Sequence, residues 1–245
     1  MSFTDNIKKL KKFALDLLFP PQCLFCAKST EKEKFSLLCE KCFYALPRNS
    51  AVFCPKCLLR RPKSTNCPTC ASRLDLKLLA VASFYQEEKI KILIREFKYN
   101  FLKDLAYPLG EMIVDYLKLA TPEWRRDKSI TLVPVPLHKK KENSRGFNQS
   151  ELIGKIVAEN FGWQFENSAL ARTRNNPAQA EMKNFEERQK NVKDLFVAKN
   201  PEKIKNKKII LVDDVFTSGA TMFECARILK RAGAKRIYGL VIAKG

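Results

Sequence analysis

Eight of the nine cysteines fall into four Cys-x-x-Cys pairs, Cys23/Cys26, Cys39/Cys42, Cys54/Cys57 and Cys67/Cys70, all before residue 71. Two thiolates separated by two residues can grip one ion from a tight knuckle turn, and two knuckles complete the tetrahedral site that Zn²⁺ prefers. Eight thiolates therefore make two closed sites, structural rather than catalytic, in a segment with few apolar residues to fold it otherwise. Disulfides are the competing arrangement, and a reducing compartment disfavours them. The N-terminus, MSFTDNIKKLKKFALDLLFPP, makes a poor signal peptide because Asp16 interrupts a short apolar segment and no small-residue cleavage site follows. No apolar run reaches the roughly 18 residues of a membrane span, so a cytoplasmic protein is expected. Sequential pairing (23/26 with 39/42, and 54/57 with 67/70) is preferred over an interleaved one, although spacing does not decide between them. Cys225 stands apart in an apolar helical pattern and reads as a core residue.

Ahead of the cysteines, Ile7, Leu10, Ala14, Leu17 and Leu18 recur at helical spacing with Lys8, Lys9, Lys11 and Lys12 mostly elsewhere, which predicts an amphipathic docking helix over 1–20 rather than a membrane anchor. The chain carries 46 Lys and Arg against 26 Asp and Glu, a formal net charge of +20. Such a balance attracts polyanions such as nucleic acid or phosphorylated ligands, or it reflects no more than a lysine-solvated surface. Residues 1–75 hold 14 basic and 6 acidic side chains, so the cysteine-rich part, set at 21–75, is the more densely basic.

From residue 76 to 245 the pattern changes to strands alternating with helices. Strands are predicted near 78–85, 130–135, 195–199, 208–213 and 236–243, with helices near 87–97, 104–119, 147–161 and 220–232. The class is α/β, a mostly parallel sheet flanked by helices, whose ligands sit outside the carboxyl ends of the strands. One strand end is unusual. In IILVDDVFTSGAT, residues 209–221, unalternating aliphatics suit a strand buried on both faces, and two adjacent aspartates end it. Asp213 and Asp214 repel unless something shares their charge, and the vicinal hydroxyls of a ribose can donate to such carboxylates. Thr217, Ser218, Gly219, Ala220 and Thr221 offer hydroxyls and unhindered N–H groups at a helix start, where phosphate binds well. Alternatively Asp214 and Ser218 merely cap the helix, although a cap needs only one such residue.

This stretch resembles the phosphoribosyl pyrophosphate (PRPP) motif of the type I phosphoribosyltransferases, over thirteen consecutive positions. Val133-Pro-Val-Pro136, Arg145-Gly-Phe-Asn-Gln149, Phe97-Lys-Tyr99 and QKNVKDLF at 189–196, with the cysteine pairs, narrow the resemblance to the ComF family of competence-associated proteins. That resemblance implies a type I phosphoribosyltransferase-like sheet preceded by a small double zinc ribbon. It implies further that Asp213 and Asp214 hold the ribose hydroxyls, that residues 217–221 cradle the 5′-phosphate, and that Leu137, His138 and Lys139 occupy the pyrophosphate loop. His138 reads as a phosphate donor or a solvated loop residue rather than a general base, and Lys139–Lys141 as wet surface. Arg145 belongs to the motif, and Arg172, Arg174 and Arg188, in the region of the family's catalytic loop and hood, are candidates to neutralise PRPP unless 172–191 is a charged connector. Mg²⁺ would accompany PRPP, and two Zn²⁺ the ribbon. Two functions follow. The first is a PRPP-binding competence protein that handles single-stranded DNA alongside DNA-uptake proteins. The second is an active transferase displacing pyrophosphate with a base or amine, although no acceptor pocket is legible.

Overall fold

The computed structural model describes residues 20–61, 67–70, 74–174 and 194–245. The helix expected over 1–20 therefore lies outside the described residues, as does Arg188. The chain divides into two compact units, Met1–Leu46 and Pro47–Gly245.

In the first unit, helix α1 (Glu40–Tyr44) begins directly after Cys39, its N-cap residue. Phe43, buried on α1, packs its ring 4.8 Å from that of Phe35, a small apolar plug beside the knuckles in place of a full core.

The second unit is built on seven strands: β1 (Val52–Phe53), β2 (Arg60–Arg61), β3 (Leu76–Phe84), β4 (Ile130–Pro134), β5 (Gln164–Phe165), β8 (Lys208–Phe216) and β9 (Arg236–Lys244), in the order β2-β1-β3-β9-β8-β4-β5. From β3 to β5 every pairing is parallel, whereas β1 joins β3, and β2 joins β1, antiparallel. The second cysteine tetrad thus belongs to the sheet's own unit, because Val52 and Phe53 pair with Ala80 and Leu79. The strand expected at 195–199 forms as β7 (Phe196–Ala198) but leaves the main sheet to pair antiparallel with β6 (Leu170–Arg172).

Among the described residues the unit's α-helices are α2 (Glu88–Tyr99), α3 (Ala106–Ala120), α4 (Pro122–Arg126), α5 (Lys139–Arg145), α6 (Gln149–Phe161) and α7 (Ala220–Arg231). Burial on both faces explains the unalternating strands: Ile209, Ile210, Leu211 and Val212 are all fully buried. Gly154 lets α6 close on the sheet, since a Cβ there would lie 2.7 Å from the Leu132 side chain of β4. Tyr116 of α3 ties the sheet edge to the core, accepting from Val81 N–H (3.1 Å) and donating to the Ala51 carbonyl (2.8 Å). Among the described residues no helix is long and apolar enough to cross a membrane.

Candidate functional site

The thiolates converge as two sequential tetrads, Cys23/Cys26/Cys39/Cys42 and Cys54/Cys57/Cys67/Cys70, with all sulfurs of each within 4.8 Å of one another. Four thiolates at the usual Zn–S distance of ~2.3 Å stand ~3.8 Å apart on a tetrahedron's edges. The Cys26–Cys39 and Cys57–Cys67 sulfurs, 3.6 and 3.9 Å apart, bracket that value. The leading knuckles repeat one backbone design. Ala27 N–H donates to the Cys23 carbonyl and Leu58 N–H to the Cys54 carbonyl, both at 2.9 Å. Ala27 and Leu58 are left-handed, at φ 56° and 57°. Donor set, spacing and turn all fit a structural zinc ion in each tetrad.

The second site lies at the carboxyl end of β8. Asp213 and Asp214 line a cavity of about 390 Å³ together with Tyr85, Lys98, Tyr99 and residues 215–217 and 219–222. That volume falls within the range of small-molecule sites. Asp214 is 8% exposed, and its Oδ1 lies 2.8 Å from Lys98 Nζ. Asp213 Oδ1 accepts from the Ser150 hydroxyl (3.0 Å), at the start of α6, and from the Asp214 N–H (2.9 Å). Burial, and then the charge of Asp214, push the Asp213 carboxyl up to about 7, against the pull of Lys98. Burial also works against the Lys98 ammonium, but Asp214 and after it Asp213 outweigh that and hold its pKa above the ordinary lysine value.

The small-residue turn has a defined geometry. Gly219 is the N-cap of α7 at φ 76°, and a Cβ there would fall 2.3 Å from Phe216 Cζ and 2.8 Å from Phe223 Cε2. Glycine is required both by the left-handed backbone and by these rings. Ser218 Oγ accepts from Ala220 N–H at 3.4 Å. Asp214 caps nothing; it pairs with Lys98. Thr217, Gly219, Ala220 and Thr221 line the cavity with the aspartates.

The other residues singled out in the sequence are placed less centrally. Leu137 and His138 lie between β4 and α5, and Lys139 begins α5; none of the three lines the cavity. His138 caps that helix, its Nδ1 accepting from Lys140 N–H at 3.2 Å. Arg145 donates to Gln149 Oε1 (3.2 Å) and lies 5.3 Å from the centroid of Tyr99, which does line the cavity. Arg172 donates to the Arg174 carbonyl (3.3 Å), and burial lowers its pKa against the opposing influence of Cys225 and, after it, Asp213. Sequence reasoning missed Lys98, Ser150, Tyr85 and Tyr99. The signal for Lys98 was a cation wedged between Phe97 and Tyr99 at the end of an amphipathic helix.

Residues 14–71 match the family model of the double zinc ribbon domain, and residues 149–244 that of the phosphoribosyl transferase domain. The DNA utilization protein YhgH of Escherichia coli K12 is 28% identical over 220 residues, 88% of this chain and 86% of that protein. Competence protein ComFC of Bacillus subtilis is 27% identical over 220 residues, 86% of this chain and 83% of the relative. Competence protein F of Haemophilus influenzae is 28% identical over 164 residues, 64% of this chain and 69% of its own. The chain is similar to ComF-family competence proteins and combines the double zinc ribbon and phosphoribosyl transferase domains that its sequence resemblance to that family implied. Within it, the cavity at the end of β8 lies in the part matched by the phosphoribosyl transferase domain, except for Tyr85, Lys98 and Tyr99, which precede that match.

Proposed function

We propose that this ComF-like chain binds PRPP with Mg²⁺ at the end of β8 and handles incoming single-stranded DNA during natural transformation, in the cytoplasm. In this reading 21–75 serves as the ribbon module and 76–245 as the ligand-binding domain. The observation that carries the ligand is the convergence of Asp213, Asp214 and the Gly219-led start of α7 on one cavity. Carboxylates accept from the two ribose hydroxyls, and the first N–H groups of α7 with the Thr217 and Thr221 side chains receive the 5′-phosphate. Asp213 and Asp214 supply the hard oxygen donors that suit a site working with Mg²⁺. When bound, Mg²⁺ neutralises charge on the diphosphate and ribose oxygens. Lys98 pairs with Asp214 and positions it, and the Ser150 hydroxyl positions Asp213. Arg145, Arg172, Arg174 and Arg188, with Leu137, His138 and Lys139, are the further PRPP-binding residues proposed, the cations facing the diphosphate.

The DNA role rests on the net charge of +20 and on relatives named for DNA utilization and competence. Phosphate contacts dominate non-specific affinity, so a chain this basic is suited to a strand of any sequence. DNA-uptake proteins are its proposed protein partners. One observation favours turnover as a second reading. Tyr85 and Tyr99 line the cavity beside the carboxylates and present rings against which a planar base acceptor can stack.

Calorimetry with Mg²⁺ and PRPP tests the ligand reading. The wild-type chain binds, and Asp213→Asn with Asp214→Asn weakens binding by about 2–4 kcal/mol through loss of two charge-assisted hydrogen bonds. Unchanged affinity in the double variant overturns the role given to the carboxylates. A PRPP-consumption assay with candidate bases and amines decides turnover.

A further inference from the structure

Three exposed aromatic rings sit on one short connection of the second unit. Helix α2 ends at Tyr99, Phe101 turns the chain in a left-handed conformation (φ 58°), a 3₁₀ turn follows over Lys103–Leu105, and α3 begins at Ala106. Tyr99, Phe101 and Tyr107 are 63%, 58% and 62% exposed. Scattered single apolar residues on a surface need no explanation, but three rings within nine residues of each other do.

The basic helix α5 and the turn after it lie against this connection. The Arg145 guanidinium stands 5.3 Å from the centroid of Tyr99, and the Lys103 ammonium 5.7 Å from that of Phe147. Phe147 in turn packs 5.3 Å from Phe97 of α2. Helix α5, KKKENSR, carries four cations against one carboxylate, and no residue of it is buried. The Arg145–Tyr99 and Lys103–Phe147 contacts thus bring α5 and the turn after it to this connection, with Asp104 and Glu142 the acidic residues of the 3₁₀ turn and of α5.

The geometry points to this surface, Tyr99–Phe101–Tyr107 with Lys103 and α5, as the platform for single-stranded DNA. The inference rests on the DNA-handling role proposed above and locates it. A single strand offers what the surface matches: phosphates at close intervals for the cations, and unpaired base faces for the rings, which stack on any base regardless of sequence. A duplex keeps its base faces stacked within the helix and offers the rings nothing.

The test is fluorescence anisotropy of a labelled oligothymidylate titrated with the full chain over a salt series. Phe101→Ala with Tyr107→Ala should weaken binding on the order of tenfold or more while leaving the salt slope unchanged, because stacking releases no counterions. Lys103→Ala with Lys140→Ala should reduce the slope by about 0.7 for each phosphate no longer neutralised. Tyr99 is left in place because it lines the carboxylate cavity. Both variants should bind Mg²⁺ and PRPP as the wild type does, which shows that they fold. Leu119→Ala, removing an apolar side chain that is 75% exposed on the last turn of α3, should bind the strand normally. Wild-type DNA affinity in both double variants overturns the assignment and leaves the rings to a protein partner; so does an equal loss in Leu119→Ala. A wild-type chain that binds no oligothymidylate overturns the DNA-handling role itself, whatever the variants do.

Discussion

Lys98→Met isolates the electrostatics of the site. The Lys98–Asp214 pair at 2.8 Å corresponds to about 6 kcal/mol of gross attraction at an effective dielectric of 20. Desolvating the two charges costs several kcal/mol each, so the intact pair contributes little net stability. Breaking it is another matter. With the ammonium gone and its aliphatic bulk kept, Asp214 is left buried beside Asp213, a loss of roughly 3–5 kcal/mol for a carboxylate without a counter-charge. The chain can limit that loss by taking up a proton, which makes the effect pH-dependent. Asp213, at about 7 in the folded chain, lies above its unfolded value of ~3.9. Its stabilising contribution is therefore full below about pH 4, falls as pH rises, and is exhausted above about pH 7. Lys98 is the cation that pulls the Asp213 value down, so its removal extends the decline to higher pH. Urea unfolding should show wild-type stability levelling off above about pH 7, while Lys98→Met goes on losing up to about 1.4 kcal/mol per pH unit. Lys98→Met with Asp214→Asn should return to within about 1 kcal/mol of the wild type, because no unpaired charge remains on Asp214. A Lys98→Met deficit below about 0.5 kcal/mol, or one that is the same at about pH 6 and about pH 9, refutes the reasoning.

Metal analysis should find about two Zn²⁺ per chain, one for each closed tetrad. Cys26→Ser should lose one and leave the sheet's unit folded, whereas Cys57→Ser should lose the other and loosen β1 against β3; disulfides without metal would contradict both. Gly219→Ala should weaken PRPP binding on the order of tenfold, since the left-handed backbone alone costs about 1–2 kcal/mol and the Cβ drives into Phe216, which is 2% exposed. Calorimetry reads that loss, and unchanged affinity would detach the turn from the ligand.

Legibility followed burial. Strand β8 was readable because unalternating aliphatics have few other fates than a strand covered on both sides, and α7 because Gly219 marks its start. Both tetrads were readable from spacing, and their sequential pairing needed the fold. Strands β1 and β2 are two residues each, too short to carry a period, so the attachment of the second knuckle to β3 was invisible. Of the lysine run read as wet surface, Lys139 and Lys140 are exposed and Lys141 half-buried, and its helix was missed although both ends are marked, by the His138 cap and by Gly146 at φ 72°. Strand β7 was read correctly in kind and differently in partner, because its neighbour β6 spans only Leu170–Arg172. Lys98 was missed as a site residue because its partner lies in a distant part of the sequence: Phe97 and Tyr99 flag the helix end it sits on, and only the fold brings that end to the end of β8.

Asp213 and Asp214 are held to read a ribose diol while the Gly219 turn reads a 5′-phosphate, and everything proposed for the site depends on that division. Calorimetry with ribose 5-phosphate and 2-deoxyribose 5-phosphate, each with Mg²⁺, addresses it directly. Ribose 5-phosphate should bind, and the deoxy sugar should bind on the order of tenfold more weakly, because one carboxylate loses its charge-assisted donor. Equal affinities for the two sugars, or no binding of ribose 5-phosphate, would contradict it.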